Sequence, residues 1–132
     1  MTLSCTDYKS IADPVAMLTV TTRELGRIAA SAVAHRDRQP DHRPWIALYG
    51  GALHNDRFPD APLAEWSYAA AVDKAANGHY IEIDIVVPEL AEADEASQKQ
   101  PWFPLVADAK QVTVWQRGER SFVIILSRGA AR

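Results

Sequence analysis

Apolar positions recur along this chain at several spacings, and each spacing predicts a different element. Between residues 13 and 36, Leu18, Thr22, Leu25, Ile28, Ala29, Ala32 and Val33 share one face at helical spacing. Asp13 then Pro14 supplies an N-cap carboxylate and a proline at the first helical position, so a helix is expected to start there. The alanines keep its face narrow, which suits close packing on a sheet. A polar, proline-closed connector (35–44) follows, with cations where the helix dipole favours them. Residues 45–49 carry no charge and are too few for a globular helix, which predicts a central strand buried on both faces.

A second helix is expected over 63–76, with Pro62 in its first turn and Asn77 and Gly78 forming a left-handed end. Residues 80–87 alternate, with isoleucines at 81, 83 and 85 on one side and the carboxylates of Glu82 and Asp84 on the other. The pattern predicts a half-buried strand with a solvated acidic face, stopped by Pro88. Residues 89–100, acidic among alanines, read as a solvated helical turn or a loop rather than a metal site. Residues 101–104 read as an irregular proline-bounded segment in which Trp102 and Phe103 pack, the whole an acidic then proline-rich connection over 89–104. Runs 111–115 and 121–126 flank a glycine-containing loop and predict a hairpin. The sum is an α/β fold in one domain, 1–132, after a loose lead-in over 1–12. It has an N-terminal helix, a small mixed sheet with a β-α-β unit (45–49, the second helix, 80–87), and a C-terminal β-hairpin. The two strands of that unit should lie parallel, joined right-handedly.

Composition changes this picture little. The chain is 48% hydrophobic and 23% charged, the balance of an ordinary globular protein. A net charge of −3 with no basic tract argues against nucleic acid as a partner. No run approaches the roughly 18 apolar residues of a membrane span. Cys5 is the only cysteine, so neither an internal disulfide nor a thiolate zinc site can form. Residues 1–5 have the outline of the end of a bacterial lipoprotein signal without its apolar segment, and a cytoplasmic location is the expectation.

Candidate chemistry gathers after the 45–49 run. Gly50 and Gly51 suggest a tight turn or a close backbone approach, and His54, Asn55 and Asp56 follow them. Open α/β sheets place ligand sites at strand carboxyl ends in this way. His54 is the candidate general base, metal ligand or haem ligand, since its ordinary pKa lies near neutrality. Asp56 is the candidate catalytic orienter of that histidine. Tyr49, Gly50, Gly51 and Asn55 are candidate ligand-binding residues. The bland alternative is a histidine that hydrogen-bonds a loop. His35, His42 and His79 read as solvated or structural, and no H-x-x-x-H or H-x-H pair supports a self-contained zinc site.

The uncharged run into Tyr49, Gly50, Gly51, Ala52, Leu53 and His54, then a helix and an isoleucine-rich strand, resembles the later half of the ChaN-like, Tiki and erythromycin-esterase superfamily. The likeness spans about residues 45–87, and Gly51 and His54 are the positions that match its G-x-x-H motif. It implies an α/β fold with His54 near a site that, by branch, binds haem, binds a divalent metal for peptide cleavage, or hydrolyses an ester. The superfamily's earlier acidic-and-histidine motif has no counterpart before Trp45. Two functions are therefore expected as alternatives. One is a haem-, metal- or small-molecule-binding domain, hydrolytic in some branches; the other is a non-catalytic remnant or protein-interaction module. Two helices cannot cover both sides of a sheet with strands this apolar, so a symmetric homodimer is the expected assembly.

Overall fold

The computed structural model describes residues 13–39 and 45–129, which divide between Tyr80 and Ile81 into two compact units. The lead-in over 1–12 with Cys5, and residues 40–44 of the connector with His42, lie outside the described residues. The whole is a small α/β fold of helices with one three-stranded mixed sheet.

The first unit is helical. Helix α1, Pro14–Asp37, begins as its sequence predicts: the Asp13 side chain accepts a hydrogen bond from the Val15 amide at 2.9 Å. His35 and Arg36 occupy its last turn. Thr22, Ala29 and Val33 are its buried positions, all on the predicted face. The second predicted helix is split into a 3-10 helix, Ala61–Trp66, and α3, Ala69–Ala75. Ala29 packs with Tyr68 and Val72, flanked by Leu25 and Tyr80. Gly26 permits this approach, because a Cβ there would stand 3.3 Å from Cβ of Tyr68. Helix α3 ends in the left-handed turn expected of Asn77 and Gly78, at φ 51° and 78°. The Gly78 amide returns to the Asp73 carbonyl at 2.9 Å and that of Asn77 to Lys74 at 3.2 Å, satisfying carbonyls the helix leaves over.

Residues 45–49 form no strand. They lack regular structure, and Trp45 is 91% and Tyr49 fully exposed. An uncharged run can serve as a buried strand only where neighbouring strands satisfy its backbone. The sheet among the described residues is built without it. A four-residue helix, α2, Ala52–Asn55, follows Gly51.

The second unit holds the sheet, in the order β1-β3-β2. Strand β1, Glu82–Val86, runs parallel to β3, Ser121–Ile125, which pairs antiparallel with β2, Thr113–Gly118. The β-α-β relation is therefore carried by β1 and β3 through intervening helices, not by residues 45–49. The hairpin loop is shorter than expected. Strand β2 runs on to Gly118 through an irregularity at Arg117, and Arg120 adopts φ 57° in the turn. Over 89–100 the chain takes the helical of the two alternatives. Helices α4, Pro88–Glu92, and α5, Glu95–Gln98, cross that stretch, and α6, Pro104–Ala107, follows. Asp94 caps α5 through the Ser97 amide at 2.8 Å.

The alternation along β1 is real and its orientation is the reverse of the expected one. Glu82 is 1% exposed, whereas Ile83 and Ile85 are 51% and 64% exposed. Cross-strand pairing puts Asp84, Val123 and Trp115 on the face of Glu82, and Ile85, Ile124 and Val114 on the other. The first face is the covered one. Val123 and Ile125 pack there with Ala91, Trp102, Val106 and Ala109.

Candidate functional site

The Gly51 backbone at φ −71° and ψ 146° opens α2, and the His54 amide donates to its carbonyl at 3.0 Å. Neither glycine has the stereochemical role anticipated for it. Gly51 is in ordinary extended geometry, with nothing within 4 Å of an added Cβ. At Gly50 a Cβ would make an ordinary 3.6 Å contact with the Tyr68 hydroxyl.

His54 faces the protein. Its Nδ1 lies 3.0 Å from Oγ1 of Thr22 on α1 and 3.0 Å from the Trp66 carbonyl, to which the Thr22 hydroxyl donates at 2.8 Å. A carbonyl only accepts, so a proton on Nδ1 gives the imidazole a partner in Trp66. The His54 carbonyl also takes the Tyr68 amide at 2.8 Å. The residue thus ties α1, α2 and the 3-10 helix together through side chain and backbone. An incoming metal would have to displace Thr22 and Trp66 from Nδ1, or bind through Nε2.

The Asp56 side chain takes part in a local turn. Its Oδ1 accepts from the Phe58 amide at 2.7 Å, the local turn that Asp favours, and its carbonyl accepts from Oγ of Ser67 at 2.6 Å. Asn55 contributes its backbone, whose carbonyl accepts from the Tyr80 hydroxyl at 3.0 Å. Tyr49 stands in solvent. The six residues singled out from sequence lie close along the chain, yet their side chains are not seen to converge on one reacting centre.

A polar cluster that the sequence did not reveal lies nearby in the same unit. Arg57 donates to the Tyr80 carbonyl at 3.1 Å and to Asp73 at 3.3 Å, its guanidinium 5.7 Å from the centre of the Tyr80 ring. Asp73 also accepts from the Tyr80 amide at 3.1 Å. These links fasten the end of α3 to the following chain. Burial pushes the Tyr68 hydroxyl up from its ordinary value, which keeps that phenol protonated. Only the Asn77–Gly78 turn, which redirects the chain after α3, gave a local hint of the arrangement.

His79 is exposed, and exposed His35 lies 3.2 Å from the Gln39 amide nitrogen. Among the described residues, no three His, Cys, Asp or Glu side chains are grouped so as to hold a metal ion. No helix among them is long and apolar enough to cross a membrane. No protein-family model, curated protein or solved structure matches the chain.

Proposed function

We propose that this chain is a protein-interaction module without an active site, binding through the open face of its sheet. One observation carries the reading: Ile83, Ile85 and Val114 are 51%, 64% and 61% exposed on the face opposite the packed one. Scattered apolar residues on a surface need no explanation, but a contiguous patch across paired strands marks a site of association. The surroundings of His54 favour the same reading, because its Nδ1 lies against Thr22 and the Trp66 carbonyl, joining separate helices of the first unit.

Two measurements on the purified chain test it. Haem and divalent-metal titrations are expected to leave the absorption spectrum and melting temperature unchanged. A stoichiometric complex that His54→Ala abolishes would overturn the proposal in favour of a ligand-binding domain. At sub-micromolar protein, bis-ANS is expected to fluoresce with the wild type and to lose at least half of that signal with Ile85→Lys. Equal dye signals from the two, with unchanged circular dichroism, would sink the interaction surface.

A further inference from the structure

We infer that Asn77 is a site of spontaneous deamidation to isoaspartate, restrained by the hydrogen bond that closes the end of α3. Asparagine followed by glycine is the pair in which the backbone attacks its own side chain most readily, because glycine has no Cβ to crowd the incoming nitrogen. Asn77 and Gly78 are such a pair. The chemistry needs only this chain and water. The Gly78 amide nitrogen attacks Cγ of Asn77 and a new C–N bond forms. The bond from Cγ to the side-chain nitrogen breaks, and ammonia leaves with the proton that the amide gives up. Water then opens the succinimide at either carbonyl. Cleavage at Cγ gives aspartate, and cleavage at the backbone carbonyl gives isoaspartate, in which Cβ and Cγ have entered the main chain.

Two features of the folded chain oppose the first step. Asn77, at φ 51°, is left-handed, a conformation of positive ψ that turns the following nitrogen away from its own Cβ. The Gly78 amide is also engaged, since the proton it must lose is donated to the Asp73 carbonyl at 2.9 Å. Both restraints last only while the end of α3 stays closed. Neighbouring bonds reinforce the closure. The Asp73 side chain accepts from the Tyr80 amide at 3.1 Å and from Arg57 at 3.3 Å, and the His79 amide donates to the Ala76 carbonyl at 3.1 Å. Fraying of a helix end is among the least costly openings of a folded chain, and here it releases both restraints together. Deamidation at Asn77 therefore follows the opening of this turn, and its product makes the opening permanent. Isoaspartate lengthens the main chain within the turn. It also sets a carboxylate beside the last carbonyls of α3, where the helix dipole disfavours negative charge.

Incubation of the full chain in mildly alkaline buffer, with products read by peptide mapping and mass spectrometry, tests the inference. Unfolded in urea, Asn77 is expected to convert, mainly to isoaspartate, while the other asparagine, Asn55, followed by Asp56, stays largely intact. Gly78→Ala should suppress that conversion. In the folded chain the rate at Asn77 should fall by about tenfold or more, and hydrogen exchange should show the Gly78 amide protected. Asp73→Ala keeps the accepting carbonyl but removes the ties to Tyr80 and Arg57, so it should raise the rate in the folded chain severalfold. An Asn77 that does not convert in urea would overturn the site. Equal rates in the folded and unfolded chain, an unprotected Gly78 amide, or a folded Asp73→Ala protein that converts no faster than wild type would overturn the restraint. If Asp73→Ala fails to fold, hydrogen exchange at Gly78 in the wild type decides.

Discussion

The two sides of the sheet are built from the same strands and have opposite fates. The covered side carries Glu82, Asp84 and Ser121 as well as Val123 and Ile125, and it is packed by Trp102, Val106 and the short helices. The open side has more isoleucine and no charge, and it is the one left in contact with water. A folding chain seldom buries a carboxylate while exposing its isoleucines, since a buried charge costs several kcal/mol unless it is compensated. Here Arg117 lies 3.9 Å from the Glu82 carboxylate, with its side chain largely withdrawn from solvent. The inversion teaches that alternation reports two unlike faces without saying which one the rest of the chain covers. It also leaves Ile83 and Ile85 exposed on the face opposite the packed one.

The sharpest way to break this comparison is to truncate one aliphatic side chain on each side. Ile125→Ala removes a fully buried side chain from the packed cluster and should cost about 2–5 kcal/mol of stability. Ile85→Ala, at a position 64% exposed, should cost less than about 0.5 kcal/mol, as exposed substitutions do. Denaturant unfolding followed by amide exchange in β3 measures both. Equal costs would mean that the two sides do not differ.

Glu82 gives the next largest effect. Replacing it with alanine removes a carboxylate whose side chain is wholly shielded and strips Arg117 of an ionic neighbour at 3.9 Å. Losing one member of such a pair should cost about 3 kcal/mol. The same change at exposed Glu95 should be nearly silent. A Glu82→Ala protein as stable as the wild type would return the acidic side to the solvated role that alternation suggested.

What the sequence disclosed and what it concealed follow the same division between local and distant causes. The start of α1 at Asp13 and Pro14, the end of α3 at Asn77 and Gly78, and the strands of the hairpin are set by residues within a few positions of each other. All were legible. The 45–49 run has the composition of a buried strand, but a strand becomes buried only when distant segments pair with it, and β1 pairs with β3 instead. The surroundings of His54 were hidden for a similar reason. His54 reads as available because its partners, Thr22 and the Trp66 carbonyl, lie 32 and 12 residues away. One of them is a backbone atom, which no pattern of side chains can announce.

The smallest expected effect concerns how the cover is held on the closed side. Arg128, just beyond β3, donates to the Glu92 carboxylate on α4 at 3.1 Å through Nη1 and again through Nη2, and to the Val106 carbonyl at 3.1 Å. Its amide reaches the Ala109 carbonyl at 2.9 Å. It therefore links α4 and α6, whose residues pack on Val123 and Ile125. The hydrogen bond from Arg128 holds the Glu92 carboxyl below its usual range, with their mutual attraction assisting and desolvation opposing. A carboxyl lowered on folding stabilises the native state above its unfolded pKa, and that contribution disappears as pH falls through the lower, folded value. Both side chains are substantially exposed, so the effect is small and weakens with salt. In Arg128→Ala, carboxyl-carbon NMR should show Glu92 titrating back in the ordinary glutamate range. The stability deficit of that variant should be greatest near neutral pH and narrow on acidification. It should not vanish, because the bond to the Val106 carbonyl is lost at every pH. A Glu92 titration indifferent to the loss of Arg128 would show that the clamp does not operate in solution.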